Sequence, residues 1–361
     1  MVDHLSCPVD GAPLHLEIAE MEAEEVKTGT LRSALGRDYP IRDYIPRFVD
    51  DDTYAASFSR QRQHVRQHFE AYRRDFDEDA AAELLVQSTG FDLACLDGLT
   101  LDAGCGYGRF LRVVDAAGGD VIGVDLSAQT VELAFEFAGR REHVHIVQAD
   151  LTRLPFPPGH FRRAFSIGVL HHTPDTRRSF ERLAHYLADG GEIAIWVYAP
   201  EMKVGSNAWR KLTTRLPLGL VYGWCVANEV VFAGVRSLPR GGGRFSALVP
   251  GGTLETPFWM RVMSDFDDLT PCYAHVHTAS EVCEWFLASG LAEVAILPRP
   301  TAVRGRKPAS ARAGLPPENN AAAATAEAVG ATFPGSEPHE ANLGPIRLRS
   351  GTGGAAAGVS D

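Results

Sequence analysis

The chain has 361 residues, of which 45% are hydrophobic and 22% charged, and a formal net charge of −11. That balance suits a globular protein built as one large domain with appendages, or as two domains. It argues against a nucleic-acid partner, since no dense Lys/Arg run occurs, although short arginine clusters lie at 109–112, 140–141 and 162–163. The opening "MVDHLSCPVDG" carries no basic segment followed by an apolar one. Six cysteines are scattered without paired spacing, which suits a reducing, cytoplasmic setting.

The first predicted element is a helical lead-in over 53–72, within a region expected to run to 98. From 99 to 198 strands and helices alternate. "LTLDA" (99–103), "DVIGVD" (120–125), "VHIVQAD" (144–150), "RAFSIGVL" (163–170) and "EIAIWVY" (192–198) read as strands. Helices are expected over 107–118, with Gly118 as its stop, over 128–138, and over 173–191. In the last, Thr173 is the expected N-cap, Pro174 the first helical residue and Gly190 the stop. Such alternation implies an α/β fold with a mostly parallel sheet covered by helices on both faces.

Residues 200–275 break the pattern and read as an insertion over the carboxyl edge of the sheet. Its apolar stretch 218–235 contains Asn228 and Glu229, which makes it marginal as a membrane span and favours a buried or lid helix. "TASE" (278–281) is a capping box opening a helix with Val282, Trp285 and Phe286 inward and Gly290 as stop. "AEVAILP" and "TAVRG" then read as a closing antiparallel strand pair. Beyond 307 the chain is rich in Ala, Gly, Pro and Ser and is expected to be a disordered tail.

The chemistry concentrates in "LDAGCGYGRF" (101–110), between the first strand and first helix. Gly104, Gly106 and Gly108 allow a tight turn and close ligand approach, and the helix start presents free N–H groups. Asp125 follows Gly104 by twenty-one residues, at the end of the second strand, where a carboxylate can accept both hydroxyls of a ribose. A dinucleotide site prefers G-x-G-x-x-G, but here Arg109 takes the place of the third glycine. Asp102 would also repel a pyrophosphate. A carboxylate there suits a cationic ligand without phosphate, and S-adenosylmethionine, with its ammonium and sulfonium, is such a ligand.

"LDAGCGYG", "IGVDLS", "QADLTRLPF", "SIGVLHHTPD" and "LADGGEIAIWVY" together resemble the successive motifs of class I S-adenosylmethionine-dependent methyltransferases of the type 11 group. The resemblance covers 99–198 and implies a Rossmann-like sheet whose last strand is antiparallel, in a domain spanning 99–306. By position it implies that Asp102, Gly104 and Gly106 line the methionine part of the cofactor. Asp125 would bind the ribose with Leu126 beside the adenine, and Asp150 would meet the adenine amino group with Leu151 near the ring. A strand-end acid such as Asp150 can also merely cap the following turn.

Residues 1–52 resemble a zinc-ribbon-like leader that has degenerated: Asp10 stands where a partner to Cys7 is needed, and no metal is expected. In the lead-in, Tyr54, Phe58 and Arg60 occupy positions that resemble a segment covering the cofactor, or belong to a solvated helix. Residues 266–286 resemble a segment of methyltransferases acting on glycans or secondary metabolites. There Asp267, Tyr273, His275 and His277 line an acceptor pocket, or Tyr273, His275 and His277 simply share one face of an extended strand.

Methyl transfer is an in-line displacement that needs alignment and exclusion of water, and a hydroxyl acceptor gains from a general base. His171 and His172 leave the fourth strand at the carboxyl edge, where ligands bind in open α/β sheets, and are the base candidates, His171 first. Packing or loop orientation is the alternative role. The expected activity is methylation of a small molecule, most simply at a hydroxyl of a glycan-like or secondary-metabolite acceptor. Alternatives are N- or C-methylation, an acceptor on a lipid carrier with 218–235 touching membrane, and cofactor binding without turnover.

Overall fold

In the computed structural model, which describes residues 1–49, 69–203, 206–236 and 258–309, the apolar runs between 100 and 196 lie side by side in one sheet. The expectations for Tyr54, Phe58, Arg60, the Gly/Pro-rich loop at 238–252 and the chain beyond 309 lie outside those residues.

The leader forms four strands, β1 (Leu14–Glu22), β2 (Glu25–Ser33), β3 (Asp38–Arg42) and β4 (Ile45–Pro46), paired in sequence order as an antiparallel meander. No group able to hold a metal occurs among the described residues. Cys7 is buried with its Sγ 3.3 Å from the Tyr39 hydroxyl, and Asp10 accepts from the Ala12 amide at 2.9 Å. Two short helices follow, α1 (Phe69–Arg74) and α2 (Glu78–Thr89); most of the lead-in expected over 53–72 lies outside the described residues.

The main sheet contains β5 (Thr100–Ala103), β6 (Val121–Asp125), β7 (Val144–Gln148), β8 (Phe161–Ile167), β9 (Leu187–Trp196), β10 (Ala292–Ile296) and β11 (Ala302–Arg306). Their order is β10-β11-β9-β8-β5-β6-β7. The five strands from β5 to β9 pair in parallel, and β11 runs antiparallel to both β9 and β10. The central strands are apolar on both faces because helices cover both. Along β9, Ile193 and Ile195 enter one core while Ala194 and Trp196 enter the other, the period of two expected of a strand.

One face packs on α5 (Thr176–His185) and α9 (Ala279–Ala288), where Phe180 stacks on Phe286 with ring centroids 4.4 Å apart. The other packs on α2, α3 (Arg109–Ala116) and α4 (Ala128–Ala134). The leader is part of this body. Leu5, Leu31 and Ile41 enter the first core, and the Phe48 amide donates to the Gln148 carbonyl at 2.8 Å, so the leader covers the β7 edge.

The insertion contributes α6 (Ser206–Thr213), α7 (Leu218–Arg236) and α8 (Phe258–Leu269), joined through Val221, Cys225, Val262, Met263 and Phe266. Tyr107 of the glycine loop packs against this cluster, which brings the insertion to the carboxyl edge of the sheet. Glu229 of α7 is wholly buried and bonds Arg261 of α8 at 2.5 Å, while Asn228 donates to Asp265 at 3.1 Å. The two residues that made 218–235 marginal as a span are therefore the polar seam of a helix pair. No described helix is long and apolar enough to cross a membrane.

Two expected boundaries shift. Asp175, not Thr173, caps α5 by accepting from the Arg178 amide at 2.9 Å. Thr173 is engaged in the other direction: its hydroxyl donates to the Leu170 carbonyl at 2.6 Å, closing a 3₁₀ turn over Leu170–His172. The same helix ends at His185, well before Gly190, because β9 already starts at Leu187. Gly190, at φ 72°, lies inside that strand beside a shift in its register with β8.

Candidate active site

The carboxyl ends of β5, β6, β7 and β8 meet in a cleft of about 340 Å³. Its walls include Gly104, Gly106, Asp125, Leu126, Asp150 and Leu151, the cofactor residues expected from sequence with the exception of Asp102. The glycine loop is shaped by contacts that a side chain would obstruct. Gly104 has φ 93°, and a Cβ there would lie 2.4 Å from Val169 Cγ2. Gly106 has φ 54° with open space where a Cβ would stand, so its backbone faces the cleft uncovered.

Asp125 organises the loop from below. Its carboxylate accepts from the Gly106 amide at 3.2 Å and from the Ser127 amide at 3.0 Å. Ser127 in turn caps α4 by accepting from the Thr130 amide. Asp150 does cap its own turn, accepting from the Thr152 amide at 2.8 Å, while also lining the cleft.

Asp102 stands behind the glycine loop, 1% exposed, and its Oδ2 has no hydrogen-bond partner among the described residues. Burial pushes its carboxyl up to about 8; the Arg109 charge opposes that shift and Asp125 adds to it. Arg109, read from sequence only as the residue replacing a glycine, is held with its guanidinium carbon 4.4 Å from the Phe110 ring centre. Burial lowers its pKa, with Tyr72 and Asp102 resisting. A buried carboxylate whose charge is incompletely offset is a receptor for a cation. The uncovered Gly106 backbone, the acid at the end of β6 and the orphaned Asp102 oxygen thus fit a ligand carrying a ribose and an ammonium.

The histidines separate. His171 is wholly buried, its ring 3.7 Å from that of Tyr198 and edge-on to Trp196. It does not line the cleft, although it is placed first from sequence; His172 does, beside Thr173 and Pro174. The reason is the 3₁₀ turn, which directs the first ring down onto β9 and the second outward. His172 Nδ1 lies 2.8 Å from the Tyr273 carbonyl. A carbonyl oxygen only accepts, so the Nδ1 of His172 carries the proton, and the basic nitrogen of the neutral ring is Nε2.

Residues 273–277 run extended along this edge. The His275 amide donates to the His171 carbonyl at 3.0 Å and the His277 amide to the Tyr198 carbonyl at 2.9 Å. Tyr273 and His275 stack at 5.9 Å and His275 meets His277 at 6.3 Å, so the three rings share one face. His277 is fixed to Glu281 at 2.9 Å and packs edge-on to Trp285. Tyr198 was missed in the sequence; nothing in "IAIWVY" distinguishes a strand-end tyrosine at a site from one in a core.

Residues 101–195 match the family model described as a methyltransferase domain. Together with the sheet order, this makes the region a class I S-adenosylmethionine-dependent methyltransferase domain, with S-adenosylmethionine as its cofactor. Among individual proteins, the chain is 35% identical over 108 residues to a probable tRNA methyltransferase 9B of Mus musculus, covering 29% of this chain and 23% of that one. It is 31% identical over 170 residues to a malonyl-[acyl-carrier protein] O-methyltransferase of Enterobacter lignolyticus, covering 45% and 61%. A solved S-adenosylmethionine-dependent methyltransferase from Mesorhizobium loti aligns at 18% identity over 64% of this chain and 100% of that one, with a TM-score of 0.39. The chain spans about a quarter of the length of the first curated relatives it matches. Because tRNA methyltransferases are among the relatives, the acidic composition does not exclude a nucleic-acid acceptor.

Proposed function

We propose that the chain transfers a methyl group from S-adenosylmethionine to a hydroxyl of a small-molecule acceptor of the glycan-like or secondary-metabolite kind. The observation that carries this reading is the tautomer of His172. Its Nδ1–H is anchored on the Tyr273 carbonyl, and the ring lines the same cleft as Gly104, Asp125 and Asp150. A ring oriented in this way presents Nε2 to take a proton, which an amine acceptor able to shed its own proton does not need.

The cofactor supplies an electrophilic methyl group on a good leaving group. Asp102 and the Gly104–Gly106 backbone hold its amino-acid portion, Asp125 accepts from its ribose, and Asp150 with Leu151 frames its adenine. The insertion and the Tyr273–His277 run exclude water and position the acceptor. His172 Nε2 takes the proton that the acceptor hydroxyl loses, while His171 supports the turn from below through Tyr198.

The test reads release of S-adenosylhomocysteine over a panel of hydroxyl- and amine-bearing acceptors. With a hydroxyl acceptor, His172→Ala is expected to lower kcat by about a hundredfold, the low end of general-base contributions, with little change in cofactor affinity. His171→Ala should lower Tm instead. Wild-type rates in both variants would remove the base, and failure to bind S-adenosylmethionine or S-adenosylhomocysteine by calorimetry would remove the whole reading.

A further inference from the structure

A second cleft, of about 520 Å³, opens beside the first. Its walls are Pro8 and Val9 of the leader, Thr152 and Arg153 after β7, and the start of α5. Thr152 and Pro174 line both clefts, so the two share a rim.

Arg153, Arg178 and Arg182 all project into it. Arg178 and Arg182 are four apart on α5 and therefore occupy one face of the helix. Their neighbour Arg177, off that face, is paired with Glu181 at 2.8 Å. The three cleft arginines form no ion pair among the described residues. The one carboxylate in the walls, Asp175, is turned to the helix end, where it accepts from the Arg178 amide at 2.9 Å. Three positive groups against one negative leave the lining at +2, in a chain whose net charge is −11. An acidic protein that keeps three guanidiniums along one cleft without ion pairs has a local field opposite to its global one.

We propose that this cleft binds a phosphate group of a small molecule, a phosphomonoester or pyrophosphate. The guanidinium fork matches phosphate geometry, and a phosphate of charge near −2 balances the lining. Its concave shape, closed on one side by the leader, suits a compact ligand better than a polymer backbone. The assignment stands apart from methyl transfer, since it rests on the second cleft alone.

The test titrates inorganic pyrophosphate into the full chain, followed by ³¹P line broadening, and a twelve-nucleotide single-stranded RNA, followed by fluorescence anisotropy. Arg178→Ala with Arg182→Ala is expected to weaken pyrophosphate binding about tenfold, as for two partly exposed charge-assisted contacts. Arg153→Ala should weaken it less, and Arg177→Ala should leave it unchanged. Among the described residues the cleft arginines form no side-chain hydrogen bond or ion pair, so the double variant should keep a near wild-type Tm. Equal pyrophosphate affinity in wild type and double variant would overturn the proposal and place the anion elsewhere, for instance on the glycine loop. RNA binding lost in the double variant, without any pyrophosphate binding, would also overturn it and make the arginines an electrostatic face for nucleic acid.

Discussion

The two sides of the candidate active site handle buried charge in opposite ways. On the cofactor side, Asp102 is buried with an oxygen that no hydrogen bond satisfies among the described residues, its carboxyl raised to about 8. On the insertion side, Glu229 is as deeply buried and its Oε1 is likewise without a hydrogen-bond partner among the described residues, but its Oε2 is ion-paired with Arg261 at 2.5 Å, and Asp265 takes the Asn228 amide at 3.1 Å. The difference lies in the counter-charge: Arg261 bonds Glu229 directly, whereas the described residues place no ion pair on Asp102. The contrast separates a helix pair that completes itself from a strand end that is completed by something else.

Breaking the insertion's pair should give the largest effect. Glu229→Ala removes the carboxylate bonded to the buried Arg261 guanidinium, and breaking such a pair costs about 3–5 kcal/mol. The expected result is a lower Tm and faster hydrogen exchange in α7 and α8, with the sheet core still protected. Replacing both partners by methionine should restore most of the loss. If Glu229→Ala leaves Tm within a degree, the pair is not the seam described.

The cofactor side answers to pH instead. In the ligand-free protein Asp102 is protonated more readily folded than unfolded. Its burial therefore weakens the fold progressively as pH rises from about 4 through about 8. A cationic ligand favours the ionised form, so binding releases a proton below pH 8. Affinity for S-adenosylhomocysteine should rise between pH 6 and 8, by at most about tenfold per unit, and calorimetry in buffers of different ionisation enthalpy should show the proton. Asp102→Asn should bind more weakly with a flat profile. A wild-type profile equally flat would show that Asp102 does not face the ligand's charge.

How far the sequence could be read follows from the same contrast. The strand ends and glycine turn were legible because each residue there answers a local demand. Gly104 must be glycine beneath Val169, Asp125 must end β6, and central strands must be apolar on both faces. The start of α5 was misplaced because Thr173 and Asp175 are both good caps; only the 3₁₀ turn at Leu170–His172 decides between them. The same turn places the His171 ring in the interior and the His172 ring on the cleft, a difference that adjacency in sequence cannot show. The leader was read from a cysteine pattern it lacks. Its meander is held by antiparallel pairing among its own strands and meets the β7 edge only at Arg47 and Phe48, about a hundred residues from Gln148.

That leader contact yields the smallest predicted effect, since it involves only partly buried rings. His4 Nδ1 lies 2.9 Å from His160 Nε2, so one neutral ring must donate and the other accept. His145 stands 6.4 Å from His4, and the chain's amino terminus, Asp3, Asp120 and His143 surround the group. Burial, the nearby terminus and the mutual repulsion of the rings push His145 down to about 4, and burial first of all lowers His4 and His160. For a histidine lowered on folding, the contribution is present above the unfolded value near 6.5. It is lost as pH falls toward the folded value, here between about 6.5 and 4. Folding stability should fall across that window by an amount on the order of 1 kcal/mol, discounted for partial exposure and read as a lower Tm. The leader should exchange its amides before the sheet does. His145→Gln should flatten the slope, and an unchanged slope in that variant would show that the acid sensitivity arises elsewhere, with Asp265 of the insertion, raised to about 7, acting in the opposite direction.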